Sequence, residues 1–279
     1  MKFSKWHGQG NDFVIVNGFE EIIGDYSEAA IRICNRNFGI GADGLVMILP
    51  SKLPAADFQM RIFNSDGSEA EMCGNATRCV ARYLYENELT TKTKITLETL
   101  AGLIVPELIF ADGRIATVAV DMGQPRLTRS EIPMTGEPHE QAVNVEISAG
   151  GELYQATCVS MGNPHTVIFV ENLDSVSLET VGPVIETYSL FPRKTNVEFV
   201  QVIGDSEMRM RVWERGAGVT QACGTGASAV LVAAVLTGRT NRKATIHLDG
   251  GDLDLQWGAD NHIYMSGPAV EVFRGVYLG

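Results

Sequence analysis

Two cysteines share one local setting, Cys73-Gly74-Asn75-Ala76 and Cys223-Gly224-Thr225-Gly226, and each opens a stretch patterned as a helix. The first turn of a helix leaves backbone N–H groups unpaired, and the aligned peptide dipoles put roughly half a positive charge there. A thiol at that place is expected to have its pKa lowered from about 8.5 and to become a better base or nucleophile. The small residues behind it let a ligand carboxylate approach the bare N–H groups. Tight packing would explain one such motif. Two in the same register point to chemistry, because paired thiols can reach one carbon from opposite faces. Inversion of a stereocentre by proton transfer needs that arrangement: a base on one side, an acid on the other. For an amino acid it also needs water exclusion and aligned N–H donors where negative charge builds up.

The elements that carry these cysteines are duplicated. Met210, Arg211, Cys223, Gly224 and Thr240 follow Met60, Arg61, Cys73, Gly74 and Thr90 at a constant offset of 150 residues. Upstream, GNDFVIV from Gly10 resembles GNPHTVIFV from Gly162, and GLVMI from Gly44 resembles NVEFV from Asn196, both at an offset of 152. A repeat of this length is a domain, not a solenoid unit. The expected boundaries are 1–124 for an N-terminal domain joined by a C-terminal strand at 269–279, and 125–268 for a C-terminal domain. The join falls near Met122 to Thr128, where Gly and Pro interrupt a strand-like run.

Within each copy the patterning is mainly β. FVIVNGF, GLVMIL, DFQMRIF, KITLETL and RIATVAVDM read as strands in the first, and LYQATCVSM, HTVIFV, NVEFVQVI, RMRVW, ATIHLDG and DLDLQW in the second. Three helices are expected. One starts with Ser27 as its cap, and the others follow the two cysteines. The stretch from Ala227 to Leu236 is apolar all round, so it reads as a central buried helix. The expected class is α+β: two pseudo-symmetric domains from an internal duplication, each a mostly antiparallel sheet or barrel around a central helix, with the active site in the inter-domain cleft.

Composition removes other classes. The chain has 279 residues, 22 Lys+Arg against 34 Asp+Glu, and a net charge of -12, so no basic footprint for nucleic acid or an anionic membrane exists. The longest apolar run, Ala229 to Leu236, is far short of a membrane span. MKFSKWHGQGND lacks the apolar core of a signal peptide, and a cytoplasmic location is expected. Five cysteines, odd in number and without a CxxC pair, argue against a disulfide framework or a zinc site. Cys34, Cys79 and Cys158 lack the Cys-Gly-helix setting and read as packing residues. GIGADG from Gly39 fits the dinucleotide fingerprint in letters only, since a strand follows it where a helix is required. Asn75-Ala76-Thr77 is a formal glycosylation sequon in an expected cytosolic loop.

The stretches FSKWHGQGNDFVIV, RIFNSDGSEAEMCGNATRC, SMGNPHTVIFV, RVWERGAGVTQACGTGA and the tail after Pro268 resemble diaminopimelate epimerase, in that family's order and over essentially the whole chain. The resemblance implies a cofactor-independent, metal-free epimerase that interconverts LL- and meso-diaminopimelate in lysine and peptidoglycan precursor synthesis, and a homodimer. It implies that Cys73 and Cys223 are the acid/base pair, with Cys73 the proton donor and Cys223 the acceptor from LL to meso, exchanged in reverse. Gly74, Asn75, Gly224 and Thr225 would cradle the reacting carboxylate. Asn11, Asn64, Asn163, Asn196, Glu214 and Arg215 would contact substrate, and His165 and Glu214 would tune the thiols. The chemistry suits these roles. Arg215 can fork onto a carboxylate, Glu214 can accept from an ammonium, and the asparagines can both donate and accept. Gly44 departs from relatives that carry a side chain there. The rival readings are a proline racemase or hydroxyproline epimerase with the same cysteine pair, a cofactor-dependent racemase, for which no lysine stands in a recognisable Schiff-base setting, and a non-catalytic amino-acid-binding protein.

Overall fold

The computed structural model describes all residues, 1–279. The chain divides into two compact units, Met1–Asp121 together with Ser266–Gly279, and Met122–Met265.

In the first unit β1 (Lys2–Gly8) and β2 (Asn11–Asn17) form a hairpin, followed by α1 (Tyr26–Cys34), β3 (Gly44–Leu49), β4 (Phe58–Asn64) and the short β5 (Glu69–Ala70). Then come α2 (Gly74–Glu86), β6 (Leu97–Thr99), β7 (Gly102–Ile104), and a second hairpin of β8 (Glu107–Ala111) and β9 (Arg114–Asp121). The terminal strand Val270–Val276 pairs antiparallel with β1, and the sheet continues through β2, β3, β4 and β6 to β7. This is an open path rather than a barrel. Its pairs are antiparallel except β2 with β3 and β4 with β6.

Side chains alternate between faces of a strand, and the sheet uses both faces. Phe13, Ile15, Val46, Ile48, Met60 and Ile62 pack with Val80 and Leu84 of α2. Val14, Val16, Leu45, Met47 and Phe63 pack with Ala29, Ala30 and Ile33 of α1. Burial on both faces explains why FVIV and GLVMI read as continuous apolar runs. Helix α1 is capped two residues earlier than expected, at Asp25 rather than Ser27. Asp25 accepts from the Glu28 N–H at 3.0 Å, while the Ser27 hydroxyl donates to the Gly67 carbonyl. A carboxylate at the cap also complements the helix dipole.

The second unit repeats this plan. It contains β10 (Val145–Ala149), β11 (Glu152–Ser160), β12 (Pro164–Phe169), α3 (Leu178–Glu186), β13 (Asn196–Gly204) and β14 (Glu207–Glu214). It continues with β15 (Gly218–Thr220), α4 (Gly224–Leu236), β16 (Lys243–Leu248), β17 (Gly251–Trp257) and β18 (Ile263–Gly267), whose last two residues fall past the unit boundary at Met265. The parallel pair β12/β13 aligns His165 with Asn196, where β2/β3 aligns Phe13 with Gly44. Those are the positions that the sequence offset equates. Helix α4 is buried along nearly its whole length and packs on β11, β12, β13 and β17.

Helix α3 was not legible in the sequence. Its LETVGPVIE carries Gly182 and Pro183, both helix breakers. Packing overrides them. Leu178, Val181 and Ile185 enter the core, and a Cβ at Gly182 would stand 2.7 Å from the Trp213 ring.

Candidate active site

Cys73 is the N-cap of α2, with extended backbone at φ -143 and ψ 117, and its carbonyl accepts from Thr77 N–H at 2.9 Å. The helix therefore starts at the sulfur-bearing residue, and Gly74 and Asn75 occupy the first turn, where N–H groups lack intrahelical partners. The Cys73 thiol donates to Asn11 Oδ1 at 3.7 Å, and Asn75 Nδ2 donates to the same oxygen at 3.1 Å. The other end of the Asn11 amide donates to Asp43 Oδ2 at 2.8 Å. Asp43 thereby fixes which end of Asn11 faces the sulfur. Asn64, exposed at the end of β4, donates to Ser68 Oγ at 2.9 Å within the turn into β5. Gly44 pairs with Asn64 across β3/β4, and a Cβ there would lie 3.0 Å from the Phe63 carbonyl and 3.4 Å from the Phe13 ring. The glycine is set by packing.

Cys223 holds the same N-cap position on α4 with similar backbone, at φ -131 and ψ 109, and is buried. Here the sulfur accepts from the Gly226 N–H at 3.4 Å and lies 3.5 Å from Thr225 Oγ1. Gly226 is required by this approach, since a Cβ would stand 2.8 Å from Glu198 Oε1 and 3.2 Å from the sulfur.

Around Cys223 the unit gathers ionisable groups. His165 Nδ1 lies 2.6 Å from Glu198 Oε1, with both side chains fully buried, and its Nε2 lies 3.0 Å from Asn163 Oδ1. Asn163 Nδ2 donates to Thr225 Oγ1 at 3.3 Å. Glu214 accepts from Thr220 Oγ1 at 2.5 Å. Burial pushes the Glu214 carboxyl above the ordinary carboxylate range, against hydrogen bonds from Thr220 and Cys223. Burial also pushes the Cys223 thiol well up, reinforced by the Glu214 and Glu198 carboxylates and opposed by Thr225 and the Gly226 N–H. The lowering expected of a thiol at a helix start is thus reversed at Cys223, because desolvation and two carboxylates outweigh one helix terminus. Cys34, Cys79 and Cys158 are buried as well, and desolvation pushes each up to about 12.

The remaining residues bond elsewhere. Asn196 Nδ2 donates to the Pro164 carbonyl at 2.8 Å, and its Oδ1 accepts from Arg215 N–H at 2.9 Å, pinning the turn after β14. Arg215 lies in that turn rather than in the strand, and its guanidinium donates to the Arg193 carbonyl at 3.1 Å. So hydrogen bonds gather Cys73, Asn11 and Asn75 in one unit and Cys223, Thr225, Asn163 and His165 in the other, with Glu214 beside Cys223. Sequence reasoning missed Asp43 and Glu198. Glu198 had a signal: it is a charge in NVEFV where the matched GLVMI carries Val46. No group of three or more His, Cys, Asp or Glu side chains is placed to hold a metal ion, and no helix is long and apolar enough to cross a membrane.

Solved structures share this two-unit fold. A phenazine biosynthesis protein of the PhzF family from Bacillus anthracis superimposes with a TM-score of 0.72 at 17% identity, covering 99% of both chains. A probable proline racemase from Agrobacterium radiobacter gives 0.69 at 17% identity, covering 100% of this chain and 93% of that one. At these identities the likeness defines a fold class. Sequence resolves the family within it. The family model described as diaminopimelate epimerase matches residues 3–128 and 157–272. Curated proteins named diaminopimelate epimerase are 57% identical in Pelotomaculum thermopropionicum, over 99% of both chains, and 58% identical in Moorella thermoacetica, over 99% of this chain and 98% of that one. The chain belongs to the diaminopimelate epimerase family.

Proposed function

We propose that the protein epimerises LL- and meso-diaminopimelate by two-base proton transfer, with Cys73 and Cys223 acting on opposite faces of one α-carbon. The observation that carries the reading is the duplicated helix start. In each unit a cysteine is the N-cap and small or polar residues follow it. The names of the full-length relatives supply the substrate.

From LL to meso, the Cys223 thiolate takes the α-proton and the Cys73 thiol delivers its own to the other face. The reverse reaction exchanges the roles. The product leaves Cys223 protonated and Cys73 as thiolate, so no net proton is consumed. Charge developing on the α-carboxylate meets the N–H groups of Gly74, Asn75, Gly224 and Thr225, which act as oxyanion donors. A high Cys223 pKa makes the thiolate scarce and, once formed, a strong base. An ammonium beside Glu214 favours its ionised form, and Arg215 offers a fork to the distal carboxylate. Asn11, Asn163, Asn64 and Asn196 complete the polar contacts, with His165 setting the charge behind Cys223. The chemistry is that of a step in lysine and peptidoglycan precursor synthesis.

Incubation in heavy water with LL-diaminopimelate, proline, hydroxyproline and glutamate in parallel tests the assignment. Deuterium should enter the α-position of diaminopimelate alone. Uptake by proline or hydroxyproline instead makes it a cyclic-amino-acid racemase, and binding without exchange makes it a binding protein.

A further inference from the structure

Asn11 meets the Cys73 sulfur with its oxygen, and the groups at the two ends of a hydrogen-bond line decide that orientation. A carboxylate can only accept and a guanidinium can only donate. At one end Asp43 Oδ2 accepts from Asn11 Nδ2 at 2.8 Å. At the other, the fully buried Arg78 donates to Asn75 Oδ1 at 2.8 Å, so Asn75 turns its Nδ2 to Asn11 Oδ1 at 3.1 Å. Both ends demand the same polarity. Asp43 is itself held in place. Arg36 Nη2 donates to its Oδ1 at 2.8 Å, the Asp12 N–H donates to its Oδ2 at 3.0 Å, and Lys5 pairs with Asp12 at 2.7 Å. The second unit is built differently. The residue matched to Asp43 is Thr195, whose hydroxyl donates to the Asn196 carbonyl at 3.0 Å. The matched amide, Asn163, donates to Thr225 Oγ1 at 3.3 Å, and the Cys223 sulfur accepts from the Gly226 N–H at 3.4 Å. One sulfur donates where the other accepts.

We propose that Asp43 is a positioning residue that locks the Asn11 amide with its oxygen on the Cys73 S–H, and so holds Cys73 as the thiol, the proton-donating form, in the resting protein. The bond from S–H to an amide oxygen exists only in the neutral form, and an ionised sulfur would face the oxygen lone pairs instead. Asp43 stands at an exposed position between α1 and β3, so it can be replaced without opening the core. The charges on the elements around α2 are matched in pairs, Lys5 with Asp12, Arg82 with Glu86, and Lys94 with Glu107. His7 on β1, Arg114 and Asp121 on β9, and Arg78 and Cys79 on α2 complete the set. All of these stay in place when Asp43 or Asn11 is replaced, so a change at Cys73 reports on the amide and its anchor.

This inference rests on the acid role proposed for Cys73 from LL to meso, and its test is independent of turnover. Peptide-resolved alkylation with iodoacetamide across pH reads each thiol separately in the full chain. Asn11→Ala removes the acceptor and should raise Cys73 alkylation at neutral pH by about fivefold, the worth of one ordinary hydrogen bond, through a lower midpoint. Asp43→Ala leaves Asn75 alone to hold the amide and should raise it by about threefold. Asp43→Asn removes the charge but keeps an oxygen for Asn11 Nδ2, and should retain the wild-type midpoint. Cys34 and Cys79, buried in the same unit, should stay unlabelled throughout and so report that the fold is intact. A Cys73 midpoint unmoved in Asp43→Ala overturns the proposal. So does an equal fall in Asp43→Asn, which would assign the effect to charge rather than to orientation. If Asp43→Ala labels Cys34 or Cys79, Asn11→Ala decides, and an unmoved midpoint there overturns the proposal. Midpoints that move as expected, together with no deuterium exchange into diaminopimelate, would keep this inference and remove the substrate assignment.

Discussion

The two cysteine-capped helices occupy equivalent places in a duplicated chain, yet their surroundings hold different ionisable groups. Behind Cys73 the matched strand positions hold Phe13 and Val46, both in the apolar core. Behind Cys223 they hold His165 and Glu198, a buried pair 2.6 Å apart. Asn64 in one copy is Glu214 in the other, and Arg78 is Ser228. Registers, helix starts and the extended backbone of the cap residue have been kept, while the cap hydrogen bond, made by the Cys223 sulfur alone, and the buried ionisable groups have diverged. Sterics and backbone hydrogen bonding define a framework that can be copied. The proton affinity of each sulfur depends on a few side chains that can be exchanged within it. The proposed two-base reaction would gain from that divergence, since its two thiols must hold different protonation states at one time.

The comparison breaks outright if either sulfur is dispensable. Cys73→Ala and Cys223→Ala should each lower epimerisation by at least about a thousandfold, measured as optical rotation change or α-deuterium exchange. Substantial inversion by one single variant would remove that residue from the mechanism. Next in size, Gly226→Ala should place a methyl against Glu198 and Cys223 and cost about a hundredfold in activity, as expected of a displacement on the scale of 1 Å. Its circular dichroism should stay unchanged, because alanine favours a helix. Full activity in that variant would show that the Cys223 contacts are not stringent.

A transplant sharpens the contrast. His165→Phe or Glu198→Val alone breaks a buried pair and should cost about 3–5 kcal/mol of stability by chemical denaturation. The double variant, which installs the apolar pair of the first copy, should recover much of that stability without recovering activity. Additive losses would show that the pair is not coupled.

The smallest effect expected is a pH dependence. Glu214 has a raised pKa in the folded protein, so as pH rises the unfolded chain ionises first. Stability attributable to this group is present below the unfolded carboxyl pKa, about 4.3, and is lost as pH rises toward the folded value. Glu214→Gln should therefore raise the Tm relative to wild type more at pH 8 than at pH 4. An equal difference at both pH values would contradict the raised proton affinity.

Much of the framework was legible because apolar alternation and the offset repeats are local facts of the chain. β2, β3, β4 and their partners in the second copy stand where the patterning places strands, and both cysteines cap helices. The misses have physical causes. The cap of α1 moved to Asp25, where a carboxylate suits the helix dipole. Helix α3 was hidden by Gly182 and Pro183; its Leu178, Val181 and Ile185 enter the core and Gly182 lies close against Trp213. Asp43 and Glu198 escaped because hydrogen-bond partners on neighbouring strands have no fixed spacing in sequence.

By itself the sequence determined the duplication, the strands, and the two cysteines at helix starts, since these rest on side-chain periodicity, backbone sterics and capping. Only the tertiary structure decided the charge around each sulfur. Burial and contacts between distant strands govern proton affinity, so the same Cys-Gly motif can be surrounded by carboxylates in one unit and lie beside a buried guanidinium in the other.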